Sequence, residues 1–275
     1  MDDHSILATA REAYGLALVG VQSLAHDLSE SERDLPTDCP GWSVRDHVAH
    51  VAGLEAVLMG RPRPDHDPDW STLPHVRNDA GRFMEVDVDL RRSWSWADVL
   101  TELDEVVALR LPQVAALPDD PEASMIGPLG QPRPLLPTLP IRAFDVWQHE
   151  QDVRHALGLP GVLDGPGAQL AVRQIRSALP YVLGKQVGGP PGTTLRWTIT
   201  GEQAQEVVLQ IDATGRSAEV APDALTGDPT AAITCDTETF TLLGAGRRDP
   251  AVLTVEVDGD VALAGRILAA VAITP

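Results

Sequence analysis

Apolar residues recur at three- and four-residue intervals through the first half of the chain, which is the spacing of one face of an α-helix. Four segments with this spacing are predicted to be helices: residues 5–28, residues 43–59, a stretch that begins after Ser95, and a stretch that begins after Thr138 and ends near Gly158. Pro140 falls in the predicted first turn of the last helix, where proline is tolerated. Four helices of this length favour an antiparallel four-helix bundle.

Two of the predicted helix starts carry an N-cap pattern. Ser43 is followed three residues later by Asp46, and Ser95 is followed by Asp98 in the same way. In each pair we expect the serine oxygen to accept a hydrogen bond from a free backbone amide, while the carboxylate suits the positive end of the helix. Pro112 is expected to kink the third helix.

A long stretch between Gly60 and Trp94 is rich in Pro, Asp and Arg and shows little periodicity. Loops of this length are uncommon in compact domains unless they are functional or disordered. We interpret the stretch as a flap over one end of the bundle.

The apolar pattern changes to a period of two in the second half of the chain, after one more predicted helix from Gln169 to about Lys185. The further predicted elements are strands at 195–199, 207–211, 231–234 and 252–257, a short helix after Asp236, and a closing helix at 261–271. This order predicts a small α+β domain. The predicted fold class is therefore α+β, with a helical bundle over residues 1–160 and a small α+β domain over residues 161–275.

Composition excludes several classes of function. The chain of 275 residues has 43% hydrophobic and 22% charged residues, as globular proteins do, and a formal net charge of −19. Nucleic-acid binding needs a basic face, and anionic membranes repel this charge, so neither partner is expected. Two cysteines without a CxxC pair, a start without a signal-peptide pattern and the lack of a membrane-length apolar run predict a cytoplasmic protein.

The fourth predicted helix carries a pair of residues of the kinds that bind metals. Asp145 and His149 are four residues apart, so their side chains lie on the same helix face, and Asp152 continues that face one turn later. An enzyme site needs a third ligand from another element, and the second helix offers His47 and His50. Both histidines lie within the apolar arc of that helix, so their spacing does not choose between them.

Two histidines and one carboxylate with an open coordination position are the composition of catalytic zinc sites and of non-haem iron facial triads. Asp152 as a fourth protein ligand would close the site, as in structural zinc centres. An Asp–His pair at this spacing is also often a hydrogen-bonded surface pair, and a single bundle histidine is more often a residue satisfied by its neighbour than a ligand.

Two stretches of the chain together resemble a known family. They are residues 38–51, DCPGWSVRDHVAHV, and residues 142–154, RAFDVWQHEQDVR, and they look like the mycothiol-dependent maleylpyruvate isomerase family of actinobacteria. Residues 241–250 and 257–264 are similar to the C-terminal domain of that family. The resemblance implies a DinB-like metal-binding bundle at the N-terminal end and a sterol-carrier-like domain at the C-terminal end.

The same resemblance implies particular site residues. It selects His50 rather than His47 as the first metal ligand, with Asp145 and His149 as the second and third; the isomerase proper has Glu where this chain has Asp145. By the resemblance the metal is zinc, and the co-substrate is the thiol mycothiol. Arg247 of the C-terminal domain is the candidate for binding a substrate carboxylate, because a guanidinium fork matches a carboxylate; the alternative is a cation near the last carbonyls of a helix.

The expected function is a metal-assisted thiol reaction on a small electrophilic substrate, either an isomerisation or an S-transfer. The alternatives are a non-catalytic, metal-containing protein that binds a small molecule, and a non-haem iron enzyme. The expected partners are a small-molecule substrate and a thiol, and the expected assembly is a monomer or a homodimer.

Overall fold

The predicted helices of the first half are present in the computed structural model, which describes residues 1–127, 130–225 and 227–274. The helices of this half are α1 (Asp3–Asp27), α2 (Val44–Leu58), α3 (Asp79–Arg92), α4 (Trp96–Ala115) and α5 (Leu135–Ala156). Helix α1 packs against α4 and α5, and α2 packs against α3, α4 and α5. The packing of α2 against α5 positions the candidate site.

Both predicted N-caps are present. The Ser43 side chain accepts a hydrogen bond from the Asp46 amide, and the Asp46 carboxylate accepts one from the Ser43 amide at 2.8 Å, which completes a capping box. The Ser95 side chain accepts from the Asp98 amide in the same way. Pro112 lies inside α4, which continues past it to Ala115.

Helix α5 begins earlier than predicted, at Leu135 rather than after Thr138, so Pro140 lies inside the helix and not in its first turn. The reason is an antiparallel pair of short strands, β1 (Ser124–Ile126) and β2 (Pro132–Pro134), which leads directly into the helix. Leu135 and Leu139 are fully buried and extend the apolar face of the helix towards its start.

The flap interpretation of the stretch between Gly60 and Trp94 is wrong for its second half, which forms α3. This helix escaped prediction because the side chains that it buries are mostly polar: Glu85, Asp87 and Arg91 lie beside Val88 on the buried face. The sequence of this helix therefore lacks the helical spacing of apolar residues, although the helix packs against α2.

The second half of the chain forms a mixed sheet with helices. Its elements are α6 (Pro166–Tyr181) with a π-helical turn at Val182–Val187, then β3 (Thr194–Thr200), β4 (Gln205–Ile211), β5 (Ser217–Val220), β6 (Ala231–Asp236), α7 (Thr237–Gly244), β7 (Glu256–Gly259) and α8 (Val261–Ala270). The strand order is β5-β4-β3-β6-β7, with β3 and β6 parallel and the other neighbours antiparallel. The fold is therefore α+β, as predicted.

The sheet buries its core through alternate positions of β3 and β4. Trp197 is fully buried, its ring lies 5.2 Å from that of Phe240 in an edge-to-face contact, and its indole N–H donates to Cys235 Sγ at 3.3 Å. Burial raises the pKa of the Cys235 thiol to about 11, so this cysteine is a core residue and not a nucleophile.

Two details of this half differ from the prediction. Strand β5 was not predicted, because none of its four residues is buried and it has no apolar alternation. The strand predicted at 252–257 is wrong in its first part: Pro250–Val252 forms a 3-10 turn, and β7 starts only at Glu256.

The chain divides into two compact units, Met1–Leu170 and Ala171–Thr274. The predicted division after residue 160 stays a prediction of where independently folding domains meet. Among the described residues, no helix combines the length and the apolar character that a membrane crossing requires.

Candidate metal centre

The structure brings together the three residues that the sequence analysis selected as metal ligands. His50 comes from α2, and Asp145 and His149 come from α5; one ligand atom of each lies within 4.8 Å of the ligand atoms of the other two. His50 Nε2 is 3.4 Å from Asp145 Oδ2, and His149 Nε2 is 3.7 Å from Asp145 Oδ1. Two imidazoles and a carboxylate at these distances form a donor set that fits a divalent cation such as Zn²⁺.

Solvent reaches the group of His50, Asp145 and His149 from one side only. His50 and His149 are 2% and 6% exposed, whereas the Asp145 side chain is 26% exposed. A cation bound here would therefore meet protein on the histidine side and have a path to solvent on the carboxylate side, which is the arrangement of a site with an open position.

The Asp145 carboxylate is ionised by its surroundings. Burial by itself would raise its pKa, but the Arg142 guanidinium, whose Nη1 donates to Oδ2 at 2.8 Å, and then His149 hold the pKa well below its usual range. Burial and then the neighbouring His149 lower the pKa of His50. A carboxylate that stays charged and an imidazole that stays neutral are the protonation states that a metal requires.

Arg142 connects this group to a buried ionic cluster that the sequence analysis missed. Its Nη2 donates to Glu55 Oε1 at 2.8 Å, Arg110 Nε donates to Glu55 Oε2 at 2.9 Å, and the Tyr14 hydroxyl lies 2.6 Å from the same carboxylate. Burial and then Glu55 raise the pKa of Tyr14, so the phenol stays protonated and donates. The available signal was the position of Glu55 in the middle of the apolar arc of α2, since a buried carboxylate requires partners.

A second group shares His149. His47, His149 and Asp152 also bring three ligand atoms within 4.8 Å of one another. His47 Nδ1 is 2.9 Å from His149 Nδ1, and Asp152 Oδ2 is 3.4 Å from that same nitrogen. Asp152 thus approaches the ring nitrogen of His149 that is opposite to the one facing Asp145.

The indole of Trp42 covers the three histidine rings. Its centroid is 5.3 Å from that of His47, 5.1 Å from that of His50 and 5.5 Å from that of His149. Its N–H donates at 2.8 Å to the buried carboxylate of Glu85 on α3. The helix that was misread as part of a flap therefore anchors a ring that packs on the candidate site.

The backbone before Trp42 allows this arrangement. Gly41 has a φ of 81°, which glycine adopts without strain, and a Cβ at this position would lie only 2.3 Å from the His75 ring. His75 in turn lies 3.1 Å from Glu85 Oε2. The Pro-Gly-Trp run before the N-cap Ser43 was the signal in the sequence for this close approach.

Arg247 lies in the second unit, directly after α7. Its Nη1 donates to the backbone carbonyl of Ala245 at 3.1 Å, and the residue is partly exposed. This contact fits the helix-end alternative and leaves the proposed binding of a carboxylate untested.

Comparison with known proteins supports the resemblance over both units. The family model described as the mycothiol maleylpyruvate isomerase N-terminal domain matches residues 16–154, and the model for the C-terminal domain of the same family matches residues 169–266. A crystal structure of the mycothiol-dependent maleylpyruvate isomerase aligns with a TM-score of 0.53 at 16% identity, over 93% of each chain. A histidine-to-alanine variant of that isomerase aligns with a TM-score of 0.52 at 16% identity, also over 93% of each chain. No curated protein matches the chain.

Proposed function

Because this chain belongs to the mycothiol maleylpyruvate isomerase family, we propose that it is a metal-dependent enzyme that uses a low-molecular-weight thiol, mycothiol, on a small electrophilic substrate. The observation that carries the proposal is the convergence of His50, Asp145 and His149 from two distant helices. Family membership supports the assignment as an enzyme; the reaction, the metal, the thiol and the residues that hold them are the proposed part.

The proposed metal is Zn²⁺, held by His50, Asp145 and His149. When bound, a divalent cation there lowers the pKa of a coordinated thiol, so that the thiolate is present near neutral pH. Arg142 holds Asp145 ionised and in place through the 2.8 Å hydrogen bond. The Trp42 indole packs on the histidine side of the site, while the partly exposed Asp145 leaves a side at which thiol and substrate can enter.

The reaction proposed is addition of the thiolate to an electrophilic carbon. A carbon–sulfur bond forms while a π bond of the substrate breaks, and its electron pair moves to a neighbouring carbonyl oxygen. If the adduct then rotates about the carbon–carbon bond that has become single and expels the thiolate, the π bond returns and the result is a cis–trans isomerisation. If the adduct is protonated on carbon and released, the result is an S-transfer.

The test is a metal analysis followed by thiol binding. Protein purified without added metal should contain close to one equivalent of zinc, and the zinc-loaded protein should bind mycothiol and consume or recycle it with electrophilic substrates. A predominance of iron would favour the non-haem iron alternative. A zinc-loaded protein that binds no thiol would overturn the proposal and favour a non-catalytic binding protein.

The cytoplasmic location and the monomeric or homodimeric state of the protein stay predictions.

Arg247 is proposed to bind a carboxylate of the substrate through its guanidinium fork. We expect Arg247→Ala to raise KM by about 10- to 100-fold, since a hydrogen bond to a charged group contributes about 1.5–3 kcal/mol. Steady-state kinetics would measure this, with zinc content as the second readout, which should not change. Arg248→Ala is the matched control; an equal rise in KM for both variants would contradict the assignment.

Trp42 should report on metal binding, because its ring lies over the histidines. We expect Co²⁺ to quench part of the tryptophan fluorescence of the zinc-free protein and Trp42→Phe to remove most of that quenching. Trp70→Phe is the control, since the Trp70 ring lies 5.1 Å from the guanidinium of Arg82 on α3. Quenching that survives in Trp42→Phe but disappears in Trp70→Phe would place the cation elsewhere.

A further inference from the structure

The two ring nitrogens of His149 face different groups. Nε2 lies 3.7 Å from Asp145 Oδ1, whereas Nδ1 lies 2.9 Å from His47 Nδ1. This inference rests on the proposed metal site. A neutral imidazole that offers Nε2 to a cation carries its proton on Nδ1, and the acceptor of that proton sets the orientation of the ring.

This proton can start a chain of hydrogen bonds in which each group donates to the next. If His149 Nδ1–H donates to His47 Nδ1, then His47 carries its own proton on Nε2, which lies 2.8 Å from Thr37 Oγ1. The Thr37 hydroxyl in turn donates to the backbone carbonyl of Trp42 at 3.0 Å. Every donor in this chain meets an acceptor, and the chain ends on a fixed backbone atom.

Asp152 places its carboxyl group beside the same contact. Its Oδ2 lies 3.4 Å from His149 Nδ1 and 3.7 Å from His47 Nδ1, and its Oδ1 accepts from Gln148 Nε2 at 3.1 Å. Asp152 and His47 are both fully buried. An ionised carboxyl group at this distance favours a proton on Nδ1 of His149 and so favours Nε2 as the atom offered to the cation.

We propose that His47 is a positioning residue, which accepts the Nδ1–H of His149 and so aims Nε2 of His149 at the cation, with Asp152 as its electrostatic support. Neither His47 nor Asp152 is then a ligand of that cation. The competing arrangement is a second cation among His47, His149 and Asp152, whose three facing atoms lie 2.9, 3.4 and 3.7 Å apart. The two arrangements differ in the number of cations bound.

The experiment titrates Co²⁺ into metal-free protein and follows the dissociation constant, the number of equivalents and the d–d absorption bands. We expect the wild type to bind one equivalent. His47→Leu, which removes the acceptor, should weaken binding about 10- to 100-fold, the range for partners that orient ligands, and should shift the d–d bands. His47→Asn retains an acceptor near the position of Nδ1 and should bind within a few-fold of the wild type.

Further variants keep the test decisive if His47→Leu folds poorly. Asp152→Asn should weaken binding about 10-fold by the same reasoning, and Thr37→Val, which acts one hydrogen bond further away, should have a smaller effect. Thermal unfolding of the metal-free variants separates loss of fold from loss of metal. His47→Leu with the affinity and spectrum of the wild type would overturn the inference while the proposed metal site stands.

Two equivalents of Co²⁺ in the wild type, with one lost in His47→Leu and in Asp152→Asn, would replace the inference with the second cation site. A folded wild type that binds no Co²⁺ would overturn the proposed function and this inference together.

Discussion

Replacing His50 with alanine should abolish metal binding at physiological concentrations. The residue supplies one of only three protein ligands in the proposed site, and its loss leaves Asp145 and His149 on a single helix. We expect zinc affinity to fall by more than about 100-fold, beyond the range for residues that merely orient ligands. Zinc content after dialysis and competition with a chelator would measure the change, and activity with thiol should be lost with it.

The control for this prediction is His26→Ala. His26 lies on α1, is about half exposed, and forms a 2.8 Å contact with Asp104 rather than with the site. This variant should keep the zinc affinity of the wild type. If His50→Ala retained zinc while His47→Ala lost it, the two histidines of α2 would have been assigned the wrong way round.

The comparison of His50 with His47 shows which parts of the candidate site can be predicted from the sequence and which cannot. Both histidines lie on the apolar arc of α2, so periodicity alone places them equally. The structure separates them by partner: His50 Nε2 faces Asp145, whereas His47 Nδ1 faces His149. Which nitrogen meets which partner depends on the packing of α2 against α5, and no local pattern encodes that packing.

The predictions were correct for features that depend only on residues close together in the sequence. The capping box of Ser43 and Asp46 involves residues three apart, and the alternation around Trp197 follows the pleat of β3. Helix α3 was not predicted from local patterns, because its buried face consists mainly of ion-paired side chains instead of apolar ones. Arg91, for example, donates to both carboxylate oxygens of Glu102 at 2.6 and 2.8 Å. Those partners lie on different helices, so their pairing is a property of the tertiary structure.

Glu55 belongs to the same class of residue, and its position explains how the short Asp145 side chain can be held in place. Arg142 donates with one nitrogen to Asp145 and with another to Glu55, so the orientation of the guanidinium depends on both carboxylates. Arg110 and the Tyr14 hydroxyl also donate to the Glu55 carboxylate and hold it in place. The short side chain of Asp145 is thus held by a guanidinium whose own position is fixed by the buried Glu55 carboxylate.

Glu55→Gln should therefore be the most destabilising single change in the bundle that leaves side-chain volume almost unchanged. Removing the charge leaves Arg110 and Arg142 buried with too little negative charge, and breaking one partner of a buried ion pair typically costs about 3–5 kcal/mol. Denaturant unfolding of the metal-free protein would measure the loss without a contribution from bound metal.

The order of three substitutions tests this explanation more sharply than one value does. Glu55→Gln should cost the most free energy of unfolding, and Tyr14→Phe should cost less, about 1.5–3 kcal/mol, because it removes one hydrogen bond to a charged group and leaves the ion pairs intact. Glu105→Gln, in an exposed pair with Arg61 at 3.1 Å, should cost no more than about 1 kcal/mol. If Glu55→Gln proved as mild as Glu105→Gln, the buried cluster would not support Arg142, and the position of Asp145 would need another cause. Zinc affinity should follow the same order, since only the first two changes disturb the guanidinium that holds Asp145.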